Sequence, residues 1–222
     1  MRRLLAAVAL LAAAALPAAA GELAIEGQVG YFGMNAEKSA MAVFGSKGGL
    51  TFGGAVRYDV WRGAFVSAGV RTFSKDGERV FVNGPGAPVQ KLGFPLSVRL
   101  TPILLSAGYR YTGWKWVAPY ASVGAAITSY SEKSDVAGQS FDQDLTKTGF
   151  IGAVGLETGH GRLRAGVEAG YSTVSSAIGF AGVSQVYGED DIGGFHVVGK
   201  LMYVFGSKPQ KRHPWRPNFP KP

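Results

Sequence analysis

From Leu23 onward, apolar residues alternate with small or polar ones at a period of two, and this feature limits most strongly what the chain can become. Such a period sends successive side chains to opposite faces of a β-strand. The first segment places Leu23, Ile25, Gly27, Val29 and Tyr31 on one face and Ala24, Glu26, Gln28 and Gly30 on the other. Comparable splits recur around residues 51–60, 64–73, 96–111, 117–130, 149–157, 163–172 and 195–205, which predicts eight strands. The fourth slips phase, from Leu96, Val98 and Leu100 to Ile103, Leu105, Ala107 and Tyr109. Proline is tolerated inside a strand at a bulge, so a bulge at Pro102 is expected, which would keep the apolar residues on one face and turn Arg99 to the other.

Two features at the ends bear on location. Arg2 and Arg3 precede an apolar run from Leu4 to Leu16, then Pro17 and three alanines, the arrangement of a secretory signal cleaved before Gly21. The run is shorter than the ~20 residues a spanning helix needs, and no comparable apolar run follows it, so any later membrane span has to be made of strands. The net charge of +8 invites a nucleic-acid reading. Seven of the cations lie at the two ends, however, leaving residues 21–206 with only +1, so the body has no electrostatic footprint for nucleic acid.

Connection lengths also alternate. Residues 61–63 fit a three-residue hairpin, Thr112 and Gly113 a tight turn, and His160 and Gly161 a two-residue turn. The links near 33–49, 74–95, 131–147 and 174–191 are long and polar or rich in glycine. Short turns at one end, long loops at the other and an even number of strands describe an all-β, eight-stranded antiparallel up-and-down transmembrane β-barrel. A soluble eight-stranded barrel also alternates, so the content of the two faces has to decide. The polar face is mainly Gly, Ala and Ser with a few charges, small enough for a narrow interior, whereas the apolar face carries no charge. A Lys or Arg facing lipid at midplane costs about 2–4 kcal/mol, which explains the exclusion. Aromatic residues collect near strand ends, among them Tyr31, Tyr58, Trp61, Tyr109, Trp114, Trp116 and Tyr171, as expected for side chains that prefer the headgroup level.

The last strand ends in Phe195, Val197, Leu201, Tyr203 and Phe205. With the alternating strands, tight turns and long loops, residues 21–206 resemble the small outer-membrane barrels of the OmpA/OmpX type. The resemblance implies location in the bacterial outer membrane and contact with its lipid and lipopolysaccharide. It also implies that Leu201, Tyr203 and Phe205 form the signal read by the outer-membrane assembly machinery. The chain departs from the pattern after Phe205, where a tail follows, Ser207 to Pro222, with five Pro, five Lys or Arg and no acid, a composition expected to stay disordered.

An eight-stranded barrel is filled by its own side chains. The inward set is Glu26, Arg57, Asp59, Arg71, Arg99, Arg110, Glu157, Arg164, Glu168 and Lys200, and because unpaired charge inside a lipid-surrounded barrel is costly, a connected ion-pair network is expected. A turn at 160 and 161 would set Glu157 opposite Arg164, with Glu168 near Lys200. The three histidines form no evident metal or nucleophile cluster, and no Ser-x-x-Lys, Gly-x-Ser-x-Gly or Walker loop occurs. His196 with Ser172 is the one pair that could mimic a lipid-deacylating barrel, and no catalysis, cofactor or metal is expected. Asp142 and Asp144, and Glu189 to Asp191, lack the spacing of a calcium loop and read as solvated charge. The stretch Ser172–Gly188 is apolar for an exposed loop, so it either extends the strands above the membrane or meets an extracellular partner. The expected role is non-catalytic, in envelope structure or surface interaction. A small passive channel is the alternative, and a lipid-modifying enzyme ranks behind both.

Overall fold

The computed structural model describes residues 21–205 apart from residues 115, 137, 180 and 181, so the signal-sequence and tail assignments lie outside the described residues. Eight strands form a closed antiparallel barrel in chain order: β1 (Glu22–Met34), β2 (Gly48–Trp61), β3 (Ala64–Phe81), β4 (Gln90–Arg110), β5 (Val117–Val136), β6 (Gln139–His160), β7 (Leu163–Thr173) and β8 (Gly194–Phe205). Two short helices, α1 (Glu37–Phe44) and α2 (Gly182–Tyr187), lie in the β1–β2 and β7–β8 connections. β8 closes on β1, pairing Leu23 with Phe205 and Met34 with Gly194.

Pairing traced around the wall from Leu23 passes through Tyr58, Val66, Ala107, Val123, Gly152, Tyr171 and Phe195. It returns to β1 at Gly33, ten residues beyond its start, which is the stagger that tilts the strands and closes the barrel. Every residue on that circuit belongs to the outward stripe. Phe52, Val123, Phe150 and Val154 point outward and are each at least 60% exposed, while Ala24, Arg57, Phe65, Ala126, Glu157 and Met202 are buried inside. An exposed apolar stripe around a buried charged interior is the reverse of a soluble barrel.

β4 corrects the expected phase. Its pairing with β5 is continuous from Arg110↔Tyr120 through Pro102↔Thr128 to Leu96↔Ser134, and Ile103↔Val70 and Leu100↔Phe73 keep one register with β3. There is no bulge at Pro102. Leu96, Val98 and Leu100 therefore point inward and are buried, and Arg99 points outward into solvent. The physical reason is that the interior changes character along the axis. Its long-loop end is an apolar cluster of Met34, Phe73, Leu96, Val98, Leu100, Tyr130, Val174 and Ile192, so the apolar phase moves inside where the outer face leaves lipid. Arg99 pairs with Ser74 and Ser131, beyond the outward Ile103 and Leu105, and is clear of the apolar belt.

The turns also differ in detail. Trp61 pairs with Ala64, leaving Arg62 (φ 46°) and Gly63 (φ 94°) as a two-residue turn with both residues left-handed, the type I′ form that follows strand twist. At the β6–β7 turn His160 pairs with Leu163, so the turn residues are Gly161 and Arg162. Gly161 has φ 71°, and a type II′ turn needs glycine at its first central position, which fixes the turn one residue later than expected. The links at 74–95 and 131–147 are largely strand: β3, β4, β5 and β6 run on past the belt as a tall wall, and a bulge separates Glu78 from Val80 near its top. Of the Ser172–Gly188 stretch only Ser172 and Thr173 belong to the sheet; beyond them the described residues hold α2, and Val174 and Ala177 are buried in the apolar cluster.

Candidate functional site: the barrel interior and its mouth

The short-turn half of the interior is a single ion-pair network. Arg57, only 2% exposed, lies at its centre because the alternation of β2 turns it inward opposite Ala24 of β1 and Ser67 of β3. Its Nη1 donates to Glu157 Oε1 and its Nη2 to Glu157 Oε2 at 3.2 Å, a bidentate fork. The same guanidinium lies 3.4 Å from Glu26 and 3.3 Å from Asp59 and packs over the Phe65 ring at 5.3 Å. Arg110 joins Asp59 at 2.6 Å and Glu157 at 3.3 Å. Arg164 joins Glu22 at 2.7 Å.

A second knot gathers on Glu168. Its carboxylate accepts from Tyr120 at 2.8 Å and from Arg71 at 3.3 Å, and it lies 2.5 Å from Lys200 Nζ and 3.3 Å from His196 Nε2. Lys200 also reaches Glu26 at 3.4 Å, which joins the two knots. Five cations (Arg57, Arg71, Arg110, Arg164, Lys200) thus face five carboxylates (Glu22, Glu26, Asp59, Glu157, Glu168), so the formal charges of these ten side chains balance.

Nine of the ten residues read as inward from the sequence meet here, and Arg99 does not. Glu157 is not opposite Arg164: the later turn puts Gly166 across from Glu157 and Gly159 across from Arg164, so Glu157 turns to Arg57 across the barrel and Arg164 to Glu22. Glu168 and Lys200 are adjacent. Tyr120, Gln28, Glu22 and His196 are further members, and the alternation of strands 1, 5 and 8 carries the signal that could have found them. Ser172 is no partner of His196; its hydroxyl donates to the Gly194 carbonyl at 3.3 Å.

The mouth is closed by the apolar cluster and by a latch. Glu189 accepts from the backbone N–H groups of Lys38 and Ser39 at 2.9 and 2.8 Å, fixing the β7–β8 loop to the first turn of α1. Asp191 accepts from Val174 N–H (2.7 Å), Gly193 N–H (2.6 Å) and the Asn35 amide (3.0 Å), and Asp190 accepts from Ser176 N–H at 3.1 Å. These acids, read from sequence as solvated, hold the loop together. Asp191→Ala leaves the Val174 and Gly193 N–H groups without their carboxylate acceptor, while the Asn35 amide keeps the Ser172 carbonyl, at about 1–3 kcal/mol of local stability. Limited proteolysis of the folded barrel is expected to cut faster within 174–193, with heat-modifiable migration on a gel unchanged. Among the described residues no cluster of three or more His, Asp or Glu side chains is placed to hold a metal.

Residues 4–197 match the family described as the outer membrane protein beta-barrel domain. The chain belongs to that outer-membrane β-barrel family. It resides in the bacterial outer membrane, and the exposed apolar belt is its lipid-facing surface. Its fold is similar to that of the outer membrane protein OprG from Pseudomonas aeruginosa, with a TM-score of 0.60 at 15% identity over 85% of this chain and 97% of that one. It is also similar to a major outer membrane protein from Thermus thermophilus, with a TM-score of 0.56 at 12% identity over 84% of this chain and 100% of that one. Among curated proteins none matches the chain.

Proposed function

We propose that the barrel is a non-conducting, non-catalytic element of the outer membrane, serving envelope structure and surface interaction. The observation that carries this reading is the filled interior. A charge-balanced network crosses the short-turn half and an apolar cluster fills the long-loop half, so an ion entering from either end meets first one barrier and then the other. Moving a bare charge through the apolar end is costly, and opening the charged end requires breaking several buried pairs at once. A balanced network also offers no excess field to select ions by sign. The Ser172 hydroxyl is engaged with backbone and His196 with Glu168, which weighs against a lipid-cleaving dyad. The outward placement of Leu201, Tyr203 and Phe205 on the closing strand supports their reading as the assembly signal. Purified barrel in planar lipid bilayers is expected to give no unitary conductance above the lipid background. Reproducible single-channel steps would reject the reading in favour of a passive channel.

A further inference from the structure

We infer that the short-turn rim of the barrel is an interaction surface for the phosphate groups of anionic phospholipids in the periplasmic leaflet of the outer membrane. The inference goes beyond the envelope role and does not depend on whether the barrel conducts. It starts from where the charges of residues 21–206 lie. The ten side chains of the interior network balance, and ten acids and eight cations share the long-loop end. The three charges left over are all cations, and each belongs to a different short turn: Arg62 between β2 and β3, Lys115 between β4 and β5, and Arg162 between β6 and β7. The small net charge of the body therefore hides a basic rim at one end. The five tail cations follow β8 in sequence, and β8 ends at this same rim, where Phe205 pairs with Leu23.

No acid offsets this rim. The acids nearest to it face inward and are engaged, Glu22 at 2.7 Å from Arg164 and Asp59 at 2.6 Å from Arg110. Arg62 and Arg162 are exposed, and among the described residues neither pairs with an acid. Their charge is left for something outside the chain.

Aromatic side chains fix the depth of these cations and so choose the partner. The Arg62 guanidinium lies over the Trp61 ring at 4.7 Å, and Trp61 is 67% exposed. Arg162 Nη1 donates to the Tyr203 hydroxyl at 3.4 Å, and the Tyr203 ring meets Phe205 edge-on at 4.9 Å. Lys115 stands in the sequence between Trp114 and Trp116, both exposed. Trp and Tyr prefer the headgroup level, so cations tied to them sit at the depth of lipid phosphates and do not reach away toward a periplasmic polymer. A guanidinium matches a phosphate through two parallel N–H donors, and basic groups beside an anionic leaflet are drawn to it. Two strands separate each of these turns from the next, which spreads the cations around the rim. The rim therefore gathers several anionic lipids into the boundary shell instead of holding one in a pocket.

The chain carries its own reporters. Of its four tryptophans, Trp61, Trp114 and Trp116 lie at this rim and only Trp215 lies in the tail. The test uses the full chain with Trp215→Phe, in phosphatidylcholine vesicles holding a small fraction of brominated phosphatidylglycerol or of brominated phosphatidylcholine. The expected result is fluorescence quenching that reports about threefold or greater enrichment of phosphatidylglycerol at the rim, shrinking in molar salt. The Arg62→Asn, Lys115→Gln, Arg162→Gln triple variant is expected to lose the preference while keeping heat-modifiable gel migration. Asparagine is chosen at 62 because it tolerates the left-handed backbone there, φ 46°. Equal quenching by the two lipids in the parent would overturn the inference, as would a preference insensitive to salt. A preference that survives in the triple variant would take the surface away from the turns. Co-sedimentation with purified peptidoglycan that the triple substitution abolishes, without any lipid preference, would give the rim to a wall polymer and overturn the lipid assignment.

Discussion

Replacing Arg57 by methionine is expected to produce the largest loss of stability of any single substitution in the interior. The guanidinium serves Glu157 through both oxygens and lies within 3.4 Å of Glu26 and Asp59, at 2% exposure. Removing it leaves three buried carboxylates competing for Arg110 and Lys200. Breaking a buried pair by deleting one partner costs about 3–5 kcal/mol, because the remaining charge has lost its compensation without regaining water. The measurement is the urea midpoint for unfolding from lipid vesicles, read by loss of the heat-modifiable gel form. The network makes a second, sharper statement. Adding Glu157→Leu to Arg57→Met restores charge balance, because Glu26 keeps Lys200 and Asp59 keeps Arg110. The double variant is therefore expected to be more stable than Arg57→Met alone, a non-additivity that independent sites would not show. A single variant as stable as the parent, or a double variant weaker than both singles, would contradict the network as described.

The parts of this network that could be read from sequence are those fixed by parity alone. Arg57, Arg71, Arg164, Glu168 and Lys200 alternate with outward apolar residues on strands that stay in one phase, so their inward direction follows from the period of two. Their partners depend on register, and register depends on a turn. One residue of shift at Gly161 moved Arg164 two places along β6, from Glu157 to Gly159, because pairing changes in both strands together. Arg99 failed for a different reason. Outward apolarity is enforced only where lipid is the solvent, and above that level burial against α1 and the β7–β8 loop reverses the apolar side of β4. The slip at Thr101 and Pro102 thus marked the membrane boundary, and no bulge was needed to explain it. The helices in the mouth left weaker traces still: α2 is six residues long and buries none of them, and the acids Glu189 to Asp191 that follow it tie the loop to α1, Asn35 and the backbone at 174–176.

Substituting Val123 by arginine tests the orientation of the whole barrel. Val123 is 70% exposed on the outer face of β5, between Ala121, which pairs with Tyr109, and Ala125, which pairs with Phe150. Those two aromatic residues mark the lower and upper parts of the belt, so Val123 lies near its middle. An arginine there has to place its guanidinium among acyl chains or thin the bilayer to reach water. The cost is about 2–4 kcal/mol at midplane and falls to about 0–1 near the interfaces. The same change at Ser129, on the same face of the same strand, adds a charge beside Thr101 and Thr146 beyond the apolar belt, near the level where Arg99 already points outward. Ser129→Arg is therefore expected to leave the urea midpoint in vesicles close to that of the parent, while Val123→Arg lowers it strongly. The two sites share strand and face, are both exposed to whatever surrounds the barrel, and differ in depth. If both substitutions cost the same, the surrounding medium at Val123 is not hydrocarbon, and the apolar belt is not a lipid-facing surface.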